Sequence, residues 1–294
     1  MMRVRPAGLL AALLLALLLA ACGQPAPKGP PPSPAIWQVT APGGQQGWLF
    51  GTIHALPDGA TWRTPPVDGA LRQAGLLVVE VGDLEDGHAG PREFARVSQS
   101  DGLPPLLSRV APEYRQGLQA ALDEARLKEG DLARMESWAA ALMISNGLRQ
   151  SETGNGVDRA LLALPLPVLS LEGYAAQFAL FDTLAEQDQR VLLTELARDT
   201  ASGAAEREER EVTAAWIAGD MARLEREDHS GILADPELRE ALLVGRNRAW
   251  AARIAPLLDQ GRRPFVAVGA AHMAGPDGLP ALLAARGYRV QRLR

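Results

Sequence analysis

Cysteine is almost missing from this chain: Cys22 is the only one in 294 residues. Without a second thiol no intrachain disulfide can form, so export has to be argued from a signal and not from redox chemistry. Positive charge is also scarce. The 30 Lys and Arg against 35 Asp and Glu leave a formal charge of -5, and a leader that removed Arg3 and Arg5 would make the remainder more acidic still. That balance excludes a nucleic-acid reader, which would show a basic face and a high isoelectric point. No apolar run is long enough to span a bilayer, because the Leu/Ala stretch from Gly8 to Ala20 falls short of the roughly 20 residues required. HExxH and GxSxG are both absent, which removes the commonest metalloprotease and serine hydrolase arrangements. Gly154-Asn155-Gly156 starts like a dinucleotide fingerprint, but Arg159 stands where the third glycine belongs and no strand precedes it.

The amino terminus carries an address. Arg3 and Arg5 precede the apolar run, which ends in Leu19-Ala20-Ala21-Cys22, a sequence that resembles a bacterial lipoprotein cleavage site. Residues 1–22 are therefore expected to be a lipoprotein signal peptide, with Cys22 acylated and the protein anchored to the membrane, not spanning it. Gly23, where an Asp would retain the protein at the inner membrane, points to the periplasmic side of the outer membrane if the cell has one. Residues 23–35, mostly QPAPKGPPPSPA, are too rich in proline to pack and read as a stiff tether. Residues 36–294 suit one domain with a helical insert at about 92–150, ample for a core.

Two segments near opposite ends of that domain echo each other. WLFGTIHALPDG begins at Trp48 and FVAVGAAHMAGPDGL at Phe265; each has an apolar run, Gly-x-x-His, and a Pro-Asp-Gly turn signal. The apolar run reads as a buried strand, and the glycine lets the backbone turn closely at its end. His54 and His272 then lie just past the carboxyl ends of strands, where ligands collect in α/β sheets. A short helix follows each, at Pro65 to Gln73 and Pro280 to Arg286, and then a second strand, Leu76 to Gly82 and Tyr288 to Leu293. The expected fold is α/β: a central mixed β-sheet formed from two strand-GxxH-helix-strand units, with a helical insert between them. Pairing of the units would bring His54 and His272 together, although a single histidine in such a place often only caps a turn. The segments IWQVT and GWLFG form a hairpin that delivers His54.

Glu80 lies between Val79 and Val81 on the strand after the first unit. A carboxylate there is costly unless it binds a metal, is hydrogen-bonded, or pairs with an arginine. Farther on, Glu93 to about Leu148 reads as helical with breaks near Pro104, Pro112 and Gly130, and Asp188 to Glu227 as charged helix. A helix from Val157 to Leu164 and a strand from Val168 to Leu171 lie between these regions. Pro236 to about Ala255 is another helix, stopped or kinked by Pro256, with Leu243, Asn247, Trp250 and Ile254 along one side. Asn247 among apolar neighbours implies a hydrogen-bonding duty, so Arg246 and Asn247 are expected to orient Glu80 or a substrate, or else to bond a nearby loop. His88 and His229 read as surface residues.

These features together resemble the TraB/GumN (PrgY, Tiki-like) family. The resemblance rests on Gly51 to His54, on Gly269 to His272 with Gly275 and Gly278, and on Glu80. Between them lie GVD ending at Asp158, LEGYAAQ from Leu171 to Gln177, the Trp216, Gly219, Asp220 pattern, and Arg246 with Asn247. Tiki-like members are metal-dependent proteases that need the two histidines and the glutamate, so the resemblance implies a site of His54, His272 and Glu80, with Asp158, Glu172, Gln177, Arg246 and Asn247 contacting substrate or supporting the site; for Glu172 and Gln177 helix capping and a surface turn are the alternative. Two imidazoles and a carboxylate suffice for zinc, manganese, cobalt or iron with a position left for water, and such an ion acidifies bound water and polarises a carbonyl. Glu80 could be ligand or general base. The implied activity is a metal-dependent hydrolase, most concretely a peptidase acting on an exported peptide or protein. Other members suggest a non-catalytic accessory or ligand-binding role, in pheromone shut-down or exopolysaccharide production, and related architectures an esterase-like hydrolase.

Overall fold

The strands form where apolar residues alternate between two covered faces. In β3 (Leu76–Val79), Leu77 and Val79 join one core with Phe50, Phe265 and Ala267, while Leu76 and Val78 join the other with Leu49, Val266 and Val268. A sheet buried on both sides selects apolar residues at every position of its central strands. The computed structural model describes residues 31–53, 56–57, 60–82, 88–148, 156–227 and 229–294. The expected signal peptide, Cys22 and His54 lie outside these residues.

β1 (Ile36–Thr40) and β2 (Gln46–Thr52) make the expected hairpin, which turns through Gly44 at a φ of 90°. With β3, β4 (Val168–Ser170), β5 (Pro264–Gly269) and β6 (Arg289–Arg292) they form one six-stranded mixed sheet, in the order β4-β3-β5-β2-β1-β6. The four strands β4, β3, β5 and β2 run parallel, and β1 is antiparallel to both β2 and β6. The two units are interleaved: β5 of the second sits between β2 and β3 of the first. β3 stops at Val79, and Glu80 lies just beyond it instead of inside a strand reaching Gly82.

Helix α1 (Pro65–Gln73) connects β2 to β3. Between β3 and β4 come α2 (Ala89–Val97), α3 (Arg115–Glu124), α4 (Ser137–Leu148) and α5 (Val157–Leu162). Between β4 and β5 come α6 (Tyr174–Asp182), α7 (Glu186–Ser202), α8 (Ala204–Ala218), α9 (Met221–Glu227), α10 (Pro236–Arg239), a π turn (Glu240–Val244) and α11 (Gly245–Asp259). α12 (Leu279–Ala285) joins β5 to β6. Val67 and Leu71 of α1, Val157 and Leu161 of α5, and Trp216 of α8 cover one face of the sheet; Trp250, Ile254 and Leu258 of α11 and Leu279 and Leu283 of α12 cover the other.

A third, purely helical cluster joins Leu118 and Leu122 of α3 and Trp138 and Ile144 of α4 to Leu193 and Ala197 of α7 and Leu238 of α10. The helical region is thus larger than the expected insert at about 92–150, because its apolar stripes are closed by helices from beyond β4. Pro256 also fails to stop its helix, which runs on to Asp259. Pro256 and Ala252, whose carbonyl loses its usual donor, are both exposed, so water can replace the lost bond while Ile254 and Leu258 keep the helix packed. Pro32–Arg294 is one compact unit; Ser33 N–H donates to Ile217 O at 2.8 Å and Ala35 is buried. No helix among the described residues is long and apolar enough to cross a membrane.

The crossing of β2 with the segment after β5 is close. A Cβ on Gly51 would stand 2.9 Å from Ala270 Cα, a backbone atom that cannot swing aside as the end of a side chain could. Gly51→Ala is expected to lower stability by about 1–3 kcal/mol, as overpacking typically does. Urea unfolding checks this, and a wild-type midpoint would contradict the close approach.

Candidate functional site

The parallel register gathers the carboxyl ends of the central strands. Thr52 pairs with Gly269, Val79 with Ala267, and Val79 with Ser170 on its other side. The residues that follow each strand therefore emerge at one edge of the sheet. Glu80 follows β3, and its carbonyl accepts from Glu172 N–H at 2.8 Å, extending the β3–β4 pairing by one bond. Its carboxylate turns toward β5, where Gly269 N–H donates to Oε1 at 2.8 Å. A Cβ on Gly269 would lie 3.3 Å from that oxygen and 3.6 Å from His272 Cδ2, so glycine gives both groups room. A single 3₁₀ turn, Ala270–Met273, then directs His272 inward, where it is 6% exposed.

Arg246 and Asn247 come from the opposite side, on the first turn of α11 directly after the π turn. Insertions of this kind re-aim the residues after them and often mark functional sites. The expected buried side of Leu243, Asn247, Trp250 and Ile254 is present. Arg246 uses all five of its N–H donors. Nε donates to Glu172 Oε1 at 3.0 Å; Nη2 donates to Glu172 Oε2 at 2.9 Å and Glu80 Oε2 at 2.8 Å. Nη1 donates to Leu242 O at 3.1 Å and faces His272 Nε2 at 3.3 Å. The guanidinium also lies 4.4 Å over the Trp250 ring, whose Nε1–H donates to Glu172 Oε1 at 2.8 Å. Of the sequence-based accounts of Glu80, both the hydrogen bond and the arginine pair are therefore realised, with Arg246 as the arginine.

The protonation of His272 follows from its neighbours. Asn247 Nδ2 donates to Asp277 O at 2.8 Å, which leaves Asn247 Oδ1 to face His272 Nδ1 at 2.6 Å. A carbonyl oxygen only accepts, so Nδ1 carries the hydrogen. Nε2 then bears the single lone pair of a neutral ring, aimed at Arg246 and, 3.9 Å away, at Glu80 Oε1. Burial pushes the His272 pKa down to about 4; attraction to Glu80 offsets this only in part and Arg246 adds to it. For Glu80, burial pushes upward, but His272, Arg246 and Gly269 N–H together outweigh it and hold the carboxyl below its ordinary range.

The structure thus brings together Glu80, Glu172, Arg246, Asn247 and His272. Asp158 stands on the first turn of α5, where Val157 N–H donates to Ile53 O at 3.2 Å. Gln177 is half-buried on α6 and makes none of the cluster's hydrogen bonds. His88 and His229 are exposed, as expected. Trp250 is a site residue that hydrophobic patterning treated as core; its place four residues after Arg246 on one helix face is the signal that could have marked it. Among the described residues no three His, Cys, Asp or Glu side chains converge as a metal cluster. Glu80 Oε1 and His272 Nε2 supply two suitable donors, and a carbonyl-type acceptor behind Nδ1 is the support that metal-ligating histidines usually have.

A neutral buried histidine ties stability to pH. The unfolded chain takes up a proton near pH 6.5 that folded His272 refuses until about pH 4, so stability is full above pH 6.5 and falls as pH drops toward 4. The loss is of the order of 3 kcal/mol in total. Urea unfolding at a series of pH values should show this slope between pH 6.5 and 4.5, above the range where Glu80 contributes, and His272→Gln should flatten it. An unchanged slope in that variant would contradict the assignment.

No curated protein and no solved structure matches the chain. The family model for the TraB/PrgY/gumN family matches residues 35–292, which include both GxxH segments, Glu80 and the Arg246–Asn247 pair. This chain therefore belongs to the TraB/PrgY/gumN family.

Proposed function

We propose that this protein is a metal-dependent hydrolase, most concretely a peptidase acting on an exported peptide or protein, held at the periplasmic face of the outer membrane by a lipid on Cys22. In this reading Glu80, His272 and His54 hold a divalent ion, zinc, manganese, cobalt or iron. The observation that carries it is the aim of His272: its Nδ1–H is fixed on Asn247 Oδ1, so its Nε2 lone pair faces Glu80 Oε1 at 3.9 Å. Two carboxyl groups, Glu80 and Glu172, also share one guanidinium in the described cluster, a balance that favours a further cation.

The bound ion would supply Lewis-acid activation of a water and of the scissile carbonyl. The protein's own groups prepare for it. Asn247 holds the imidazole in the tautomer that offers Nε2, and Gly269 N–H fixes Glu80 Oε1 beside it. A carboxyl held below its ordinary range is a poor proton acceptor near neutrality, where a general base works best at a pKa close to the working pH; this favours Glu80 as ligand over Glu80 as base. One observation favours the accessory, ligand-binding reading instead: Arg246 already neutralises Glu80 at 2.8 Å.

Calorimetric titration of the full chain with Zn2+ and Mn2+, alongside cleavage of a mixed peptide library, separates the two. Stoichiometric metal uptake is expected, with metal-dependent cleavage. His272→Ala and Glu80→Gln should each weaken uptake by more than the roughly 10–100-fold that loss of a supporting partner costs, and Asn247→Ala should fall within that range. Failure to take up either metal, with His272→Ala indistinguishable from the wild type in both assays, would overturn the hydrolase reading.

A further inference from the structure

Arg246 bonds both of the side chains best placed to hold a metal, Glu80 and His272. Its Nη2 is 2.8 Å from Glu80 Oε2 and its Nη1 is 3.3 Å from His272 Nε2. A neutral imidazole nitrogen has one lone pair, so Nε2 cannot accept a hydrogen bond and ligate a cation at once. The guanidinium has somewhere else to go. Three of its five donors bind Glu172 and Leu242 O, its face rests on Trp250, and Glu172 is itself fixed by Trp250 Nε1–H.

We propose that Arg246 is an internal cation that guards this site: a metal ion enters only as Arg246 gives up Glu80 and His272 Nε2 and withdraws onto Glu172. The inference rests on the metal-binding reading above. It makes Arg246 and Glu172 positioning residues with opposite effects. Removing the guanidinium removes the competitor for Glu80 and Nε2 and should tighten metal binding. Removing the charge of Glu172 weakens the place to which Arg246 retreats, concentrates the guanidinium on Glu80, and should loosen metal binding.

The test is the Zn2+ affinity of the full chain in detergent, measured by calorimetry for the wild type, Arg246→Met and Glu172→Gln, with thermal unfolding in chelator as a check on folding. Displacing a charge-assisted hydrogen bond of ordinary strength corresponds to about a 10–100-fold change. Arg246→Met is expected to bind Zn2+ tighter by that factor, and Glu172→Gln to bind it several-fold more weakly. Equal or weaker binding by a folded Arg246→Met would overturn the guard while leaving the metal site intact. If Arg246→Met does not fold, Glu172→Gln decides alone: weaker binding supports the guard, and unchanged or tighter binding overturns it. No Zn2+ uptake by the wild type or by any folded variant would overturn the metal-binding reading and the guard with it.

Discussion

The parallel placement of β5 between β2 and β3 is the constraint on which the site depends. Each strand ends at the same edge, and each is followed at once by a residue that the site uses or that leads to one. Gly269 N–H reaches Glu80 only because Val79 pairs with Ala267. The same register sets Thr52 opposite Gly269, so the two GxxH segments leave the sheet from adjacent strands. The region outside the carboxyl ends of parallel strands is where α/β sheets hold ligands, and the interleaving of the two units brings those ends together here.

The cluster at this edge is an ionic network in a mostly buried setting. The side chains of Arg246 and Glu172 are 11% and 12% exposed, and that of Glu80 is 23%. Buried ion pairs are retained when every donor and acceptor finds a partner, and Arg246 meets that demand with all five N–H groups engaged. The network ties α11 to the ends of β3 and β4, while Asn247 ties the same helix turn to His272 and to Asp277 O. Rigid support of this kind limits the geometries that the Glu80 carboxylate and the His272 ring can adopt. It also leaves Glu80 the most open member of the cluster.

Part of this was legible in the chain itself. The strand, glycine, histidine order of each unit follows from local steric and hydrophobic rules, and both units fold with the expected helix and second strand. The burial of Asn247 was visible in its spacing with Leu243, Trp250 and Ile254. Glu80 was recognisable as a carboxylate that needed a partner. Its partner was not, because Arg246 lies 166 residues away and many arginines could have served. Gln177, a candidate through the family resemblance alone, stands on α6, whose Phe178 and Phe181 pack against the helical cluster.

What the sequence by itself determined are the local matters: periods of two and 3.6, turns at glycine and proline, the acidic net charge, and the two histidine-bearing strand ends. These depend on neighbours within a few residues, so a linear reading contains the information. Only the tertiary structure decided the strand order, the extent of the helical region beyond residues 92–150, and the assignment of one guanidinium to two carboxylates and an imidazole. Those outcomes come from long-range burial and pairing, in which each group takes whichever complementary partner the packed sheet and helices place within hydrogen-bonding distance.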